Sequence, residues 1–148
     1  MSKNISPLEI DEQHTVVEWL DIRGVKIFSA TAQDTFTSWK GIAKNKKLGV
    51  RKGVPDMIIC LDEKKTKSGK RILVFIEMKR VKGGRVSEEQ QTWIDFLSSV
   101  GTNVQARVCK GANEAIEFLE SLILPKVEDT RPIEDQEWFN SGLNKITK

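Results

Sequence analysis

The amino-acid sequence predicts an α/β fold in which a mixed four-stranded sheet is flanked by helices. Two apolar runs, 56–61 and 71–79, have the length and composition of buried strands. Three other segments space their apolar residues three or four positions apart, which is typical of helices that bury one side. The elements follow the order α-β-β-β-α-β-α, so the helix between the third and fourth strands would be a crossover connection.

The N-terminal part is predicted to contain one helix, one strand and a long loop. The spacing of Gln13, Val16 and Leu20 indicates a helix over 8–22, which Gly24 ends. A short strand follows over 25–30. Residues 31–53 are polar and basic, and a connection of this length is typical of a functional or mobile loop.

The remaining elements have clear boundaries. A helix over 87–100 begins with a capping box, in which Ser87 and Gln90 satisfy each other's backbone amides. A strand over 103–109 and a helix over 112–124 follow, and Pro125 stops the last helix. We therefore expect one domain over 1–124 and a polar tail over 125–148. The tail is predicted to hold a short helix over 134–143, and its Trp138 and Phe139 could dock on the domain or on a partner subunit.

The composition is that of a single folded domain. The chain has 148 residues, of which 39% are hydrophobic and 30% charged, a balance that argues against disorder. No apolar run approaches the ~20 residues that span a bilayer, and the N-terminus lacks the apolar stretch of a signal peptide. We therefore expect a cytoplasmic protein with no membrane contact. Cys60 and Cys109 form no zinc pattern and are expected to be reduced thiols in the core.

Two acids and a lysine are placed to converge at one end of the predicted sheet. Asp56 precedes one apolar strand, and Glu77 and Lys79 end the next. Because side chains alternate along a strand, Glu77 and Lys79 point to the same face. Two carboxylates can hold a hard divalent cation, and the lysine can orient an attacking water or neutralise charge on a phosphate. This composition is the one that a metal-dependent phosphodiesterase needs.

Basic residues surround this predicted site, although the net charge is only +3. Between positions 40 and 52 there are six basic residues and no acid. Such clusters suit a polyanionic substrate such as DNA, although a basic loop can also be simple solvated surface. The residues predicted to contact DNA are Lys40, Lys44, Lys46, Lys47, Arg51, Lys52 and Arg80.

Three segments, in this order, resemble the VRR-NUC domain of the PD-(D/E)XK nuclease superfamily. They are Gly49–Asp56, Ile76–Arg80 and Ser87–Trp93, and the resemblance covers roughly residues 9–120. It implies a restriction-endonuclease-like core and an endodeoxyribonuclease that depends on Mg²⁺ or Mn²⁺. The chain is similar in length to the stand-alone members common in phages and prophages. Those members resemble Holliday-junction resolvases in fold and work as homodimers.

The resemblance also implies a role for individual residues. Asp56 and Glu77 match the metal-binding acids, with the backbone carbonyl of Met78 as a further ligand. Lys79 matches the catalytic lysine, and Gln90 matches a site glutamine at the start of the following helix. The pattern is completed by an acid on the first helix, for which Glu12 is the first choice and Glu9 the alternative.

Some alternatives remain open from the sequence alone. Gln90 is equally well explained as the capping-box residue of its own helix. Glu77 and Lys79 could form a plain salt bridge. The whole domain could also grip DNA without cutting it, or act as one subunit of a larger nuclease. Branched, nicked and duplex DNA all remain candidates for the substrate.

Overall fold

The computed structural model describes residues 8–31 and 39–126. Its four strands lie in the order β1-β2-β3-β4, with β1, β2 and β3 antiparallel and β3 and β4 parallel. This mixed sheet with helices around it confirms the predicted fold class. The elements are α1 Glu9–Ile22, β1 Ile27–Ala30, α2 Trp39–Lys47, β2 Met57–Leu61, β3 Ile72–Lys79, α3 Glu88–Ser99, β4 Val104–Lys110 and α4 Gly111–Leu122.

The helix α2 is an addition to the predicted order, because the sequence indicated only a loop over 31–53. Four of its nine residues are lysines, and its apolar residues Ile42 and Ala43 are exposed. It packs against no other helix or strand of the described chain. Its last turn is closed by the Val50 amide, which donates to the Asn45 carbonyl at 2.9 Å.

One face of the sheet carries the core, and we call it the α1–α4 face. Alternate β3 side chains, from Ile72 to Met78, point to this face and are buried. The helices α1 and α4 pack on each other and on β3, and they contribute Val16, Leu20 and Leu119 to the same apolar cluster. This packing fixes the position of β3 and therefore of the residues on its other side.

The opposite face, which we call the α3 face, is only partly covered. The helix α3 packs on β4 and on β3, while no described helix packs on this face of β1 or β2. Glu77 and Lys79 end β3 here and are buried, whereas Leu73 at its start is 41% exposed. Cys60 also lies on this face and is half-buried, so only Cys109 is the core thiol that the sequence predicted.

The observed helix ends agree in part with those predicted from the sequence. The capping box of α3 is confirmed, with the Ser87 hydroxyl accepting from the Gln90 amide at 3.2 Å. The helix α1 begins after Leu8, whose amide donates to the Asp11 carboxylate at 3.3 Å. The predicted tail helix over 134–143 lies outside the described residues. None of the described helices is long and apolar enough to cross a membrane.

Candidate active site

The strand register brings Asp56 opposite Glu77 on the α3 face. Met57 pairs with Ile76 in antiparallel register, and Asp56 stands one residue before that pair. Its Oδ2 atom accepts a hydrogen bond from the Met78 amide at 2.8 Å. The carboxylate of Asp56 is therefore fixed to the strand that carries Glu77.

The two oxygens of the Glu77 carboxylate have different surroundings. Oε1 accepts a hydrogen bond from the Gln90 side-chain amide and lies 3.2 Å from the Lys79 Nζ atom. Oε2 is buried, and no described residue donates a hydrogen bond to it. A buried carboxylate oxygen without a donor is costly, so this atom marks a place where a cation would be stabilising.

The Gln90 side chain makes two contacts, one with its own helix end and one with Glu77. Its Oε1 accepts from the Ser87 amide at 2.9 Å, which is the capping-box contact. Its Nε2 donates to Glu77. One glutamine therefore closes the first turn of α3 and orients the acid of β3.

Burial and a like charge act together on Glu77. Removal of the carboxyl from water and, to a smaller extent, the negative charge of Asp56 raise its pKa to about 7, although Lys79 opposes the shift. Two carboxylates that repel each other in a buried place are the usual environment of a divalent cation.

The donor set fits a hard metal ion. Asp56 and Glu77 supply carboxylate oxygens, and the unpartnered Oε2 of Glu77 needs a positive neighbour. Within the described ranges, no three His, Cys, Asp or Glu side chains form a group that could hold a metal. The Met78 backbone carbonyl stays the predicted further ligand.

The Glu12 side chain accepts a hydrogen bond from a backbone amide of α4. Its Oε2 accepts from the Ala112 amide at the start of α4, where a negative charge is favoured by the helix dipole. Since α4 directly follows β4 and β4 runs parallel to β3, Glu12 lies at the same end of the sheet as Glu77. Its role as the first-helix acid, with Glu9 as the alternative, stays a prediction.

A basic groove leads to Asp56. The groove has a volume of about 650 Å³, and its lining includes Asp56 together with Lys46, Arg51 and Lys52. Lys46 belongs to α2, and the Arg51 guanidinium donates to the Val50 carbonyl at 3.1 Å. The other predicted DNA contacts are exposed outside this lining, with three on α2 and one after β3: Lys40, Lys44, Lys47 and Arg80.

Three residues that the sequence did not single out for the site fix the backbone next to it. The Trp93 indole donates to the Lys52 carbonyl at 3.1 Å, which ties the basic loop to α3. Gly53 has φ +85°, and a Cβ there would meet the Glu89 carbonyl carbon at 2.5 Å, so only glycine allows this close approach. Thr31 donates through its amide to the Asp56 carbonyl at 2.8 Å. Thr31 begins the segment 31–53 that the sequence predicted to be a loop.

Comparisons with known proteins agree with this fold. The VRR-NUC domain model matches residues 11–113. A solved structure described as a VRR_NUC domain protein superposes with a TM-score of 0.57 at 21% sequence identity, covering 78% of this chain and 88% of that one. No curated protein matches the sequence. The family match extends over most of the chain and includes all the strands and the residues at the end of β3, and the chain therefore belongs to the VRR-NUC family of nucleases.

Proposed function

We propose that this protein is a DNA endonuclease that depends on Mg²⁺ or Mn²⁺. The observation that carries the proposal is the buried Oε2 atom of Glu77, which lacks a hydrogen-bond donor among the described residues and stands beside Asp56. Membership of a nuclease family supports the same reading. A purely structural salt bridge to Lys79 would occupy Oε1 alone, and it would leave Oε2 unexplained.

The ion would be held by the carboxylates of Asp56 and Glu77 and by the backbone carbonyl of Met78. When bound, it would supply Lewis-acid stabilisation of the charge that develops on the scissile phosphate. The protein's contribution is to keep these oxygens fixed. Asp56 is fixed by the Met78 amide and Glu77 by the amide of Gln90, so little reorganisation would be needed when the substrate arrives.

Lys79 is proposed to act directly on the reacting groups. Its side chain is 10% exposed, and its ammonium lies 3.2 Å from Glu77. A buried cation held in this way can orient an attacking water and stabilise negative charge in the transition state. Replacing it by alanine should remove that stabilisation and leave the sheet in place.

Cleavage of a labelled panel of duplex, flap, nicked and four-way DNA tests the proposal. We expect cutting with Mg²⁺ or Mn²⁺, and a loss of about 10²–10³-fold in Glu77→Gln and Lys79→Ala, the scale of removing one preorganised electrostatic group. Glu120→Gln is the matched control, because this acid is exposed on α4. Full activity in Lys79→Ala would remove Lys79 from the reaction.

The alternative is a module that grips DNA without cutting it, or a subunit that needs a partner. It predicts DNA binding with no cleavage on any member of the panel. Titration of Mn²⁺ separates the two alternatives, since a binding-only module need not bind the ion at Asp56 and Glu77. Binding that is lost in Asp56→Asn would favour the enzyme, even where the preferred DNA has not been found.

DNA is proposed to enter along the basic groove, with α2 against the phosphates. Affinity should then fall steeply with salt, by a slope of roughly 0.9 per phosphate contact. Replacing Lys44, Lys46 and Lys47 together by alanine should reduce that slope by about 2–3. The matched control replaces Lys64, Lys67 and Lys70, because these have the same charge and are exposed in the turn between β2 and β3. An unchanged slope in the α2 variant would place the binding surface elsewhere, and equal losses in both triple variants would show that α2 has no special role.

We also propose a homodimer, as the family resemblance implies, and action in the cytoplasm on DNA of phage or bacterial origin. A protein that cuts a four-way junction symmetrically needs two sites related by a two-fold axis. Analytical ultracentrifugation with and without junction DNA measures this directly, and a monomer under both conditions would contradict it.

A further inference from the structure

An apolar row crosses the α3 face at the end away from the candidate active site. The register pairs Ile27 with Cys60, Cys60 with Leu73 and Leu73 with Val104, and paired side chains share a face. Ile27 is 69% exposed and Leu73 is 41% exposed. The row lies in an open groove of about 900 Å³. Leu73 and Glu77 are four residues apart on β3, about 13 Å along the strand, so the row is separate from the active site.

Helices leave this row uncovered in the described part of the chain. The helix α3 reaches β4 and β3 only, and α1 and α4 lie on the opposite face. A contiguous apolar row that crosses every strand of a sheet and stays open to water is a mark of an interaction surface.

Leu124, two residues before the described chain ends, contacts Lys65 at the rim of this groove, whereas Pro125 and Lys126 line a different cavity beside α4. The Leu124 amide donates to the Lys65 carbonyl at 2.7 Å, and the Arg23 guanidinium donates to the Leu124 carbonyl at 2.8 Å. Lys65 itself lines the groove, and its ammonium donates to the Arg23 carbonyl at 3.2 Å. The backbone is therefore held beside the groove at the point where the tail begins.

The sequence of the tail complements the groove. Apolar Ile133, Trp138 and Phe139 are interspersed with acids at 134, 135 and 137. The groove carries Lys26, Lys65 and Arg71 around its apolar row, together with Asp62, and Arg71 is already paired with Glu63 at 2.7 Å. Trp138 lies 14 positions beyond Leu124, and a chain of that length reaches about 45 Å when extended, which exceeds the span of the sheet.

We propose that the segment around Trp138 and Phe139 docks on this apolar row of its own chain. The two aromatic side chains would cover Ile27 and Leu73, and the neighbouring acids would face Lys26 and Lys65. An aromatic side chain buries 150–250 Å² on docking, so two of them suffice to cover the exposed row. A second copy carries the same acidic tail, but the tether at Leu124 gives the tail of the same chain the higher effective concentration at this groove.

A disulfide trap with the full-length chain tests the docking. Cys60 lies in the row and Cys109 is buried, with burial raising its pKa to about 12, so Cys60 is the native thiol available to the trap. In Phe139→Cys treated with diamide, we expect an intrachain disulfide to Cys60 in most molecules. Lys148→Cys is the control, and it should form at least tenfold less. The added change Ile27→Asp should abolish the trap.

The disulfides that form show whether the tail of the same chain or that of a second copy docks on the apolar row. A monomeric intrachain disulfide that depends on position 139 supports the proposal. Disulfides mainly between two chains would show that a second copy supplies the tail and would overturn docking within one chain. Equal trapping at 139 and 148, or none at 139, would overturn docking altogether.

A labelling rate gives a second measurement that needs no introduced thiol. In full-length Trp138→Ala/Phe139→Ala, a maleimide should label Cys60 at least tenfold faster than in the unmodified protein. The buried Cys109 reports unfolding in the same sample. An unchanged Cys60 rate, with Cys109 still protected, would overturn the proposal. Both measurements are independent of nuclease activity.

Discussion

The two faces of β3 carry opposite kinds of side chain over the same short length of strand. On the α1–α4 face every β3 residue is apolar and buried, and Ile76 is 0% exposed. On the α3 face the strand runs from the exposed Leu73 to the buried pair Glu77 and Lys79. The first face is completed by helix packing. The second leaves an apolar row open at one end and an unpartnered carboxylate oxygen at the other.

The adjacent residues Ile76 and Glu77 have opposite effects on the stability of the folded protein. Burial of Ile76 lowers the free energy of the folded state through the hydrophobic effect. Burial of Glu77 raises it, because a carboxylate oxygen without a donor loses its hydration. The packed face therefore supports a costly arrangement on the face behind it, as is common where a protein binds a ligand.

The largest expected effect comes from the packed face. Ile76→Ala removes a fully buried side chain from the middle of the core, so the free energy of unfolding should fall by about 2–5 kcal/mol. Urea denaturation followed by circular dichroism measures the change. Leu73→Ala, on the same strand but 41% exposed, is the control and should cost much less. Equal costs at both positions would contradict the contrast between the faces.

A smaller effect is expected at Glu77, the neighbour of Ile76, where a substitution should increase the free energy of unfolding at pH 8. The pKa of Glu77 is raised from 4.5 to about 7 in the folded state, so the folded protein binds a proton that the unfolded chain releases. In EDTA, its stability should therefore fall as the pH rises from 5 to 8, by about 2.5 kcal/mol. Glu77→Gln cannot ionise, and it should lose this decline and be the more stable protein at pH 8. Parallel curves for both proteins would disprove the raised pKa.

The smallest effect concerns the contact that joins α3 to the basic loop. Trp93→Phe keeps the aromatic ring and removes the indole hydrogen bond to the Lys52 carbonyl. We expect DNA affinity to weaken about fivefold, equivalent to about 1 kcal/mol for one hydrogen bond, while Mn²⁺ binding stays unchanged. Isothermal titration calorimetry with DNA and with Mn²⁺ separates the two. A loss of Mn²⁺ binding would show that Trp93 supports the metal ligands instead.

The sequence predicted the elements that bury an apolar side and missed the one that does not. The strands β2 and β3 and the helices α1, α3 and α4 all carry an apolar pattern, and they were found within a few residues of their ends. The helix α2 is rich in lysine and packs on no other described element. Its apolar residues are few and stand among lysines, so the sequence predicted a loop here.

The candidate site was predictable as a set of residues and only partly as a geometry. Alternation along a strand was enough to put Glu77 and Lys79 on one side. The donation from Gln90 to Glu77 depends on where α3 crosses β3, which no local pattern encodes. The same holds for the contact between Trp93 and the Lys52 carbonyl, which joins residues 41 positions apart.

The contact between Glu12 and Ala112 has a consequence for the synthesis of the protein. These residues are 100 positions apart in the chain, and the helices that carry them pack on each other. At a translation rate of ~5–20 residues per second, α1 emerges from the ribosome about 5–20 s before α4. During that interval β3 becomes available but the helix that completes the packing of α1 does not, so Val16 and Leu20 are less well covered in the nascent chain than in the finished protein.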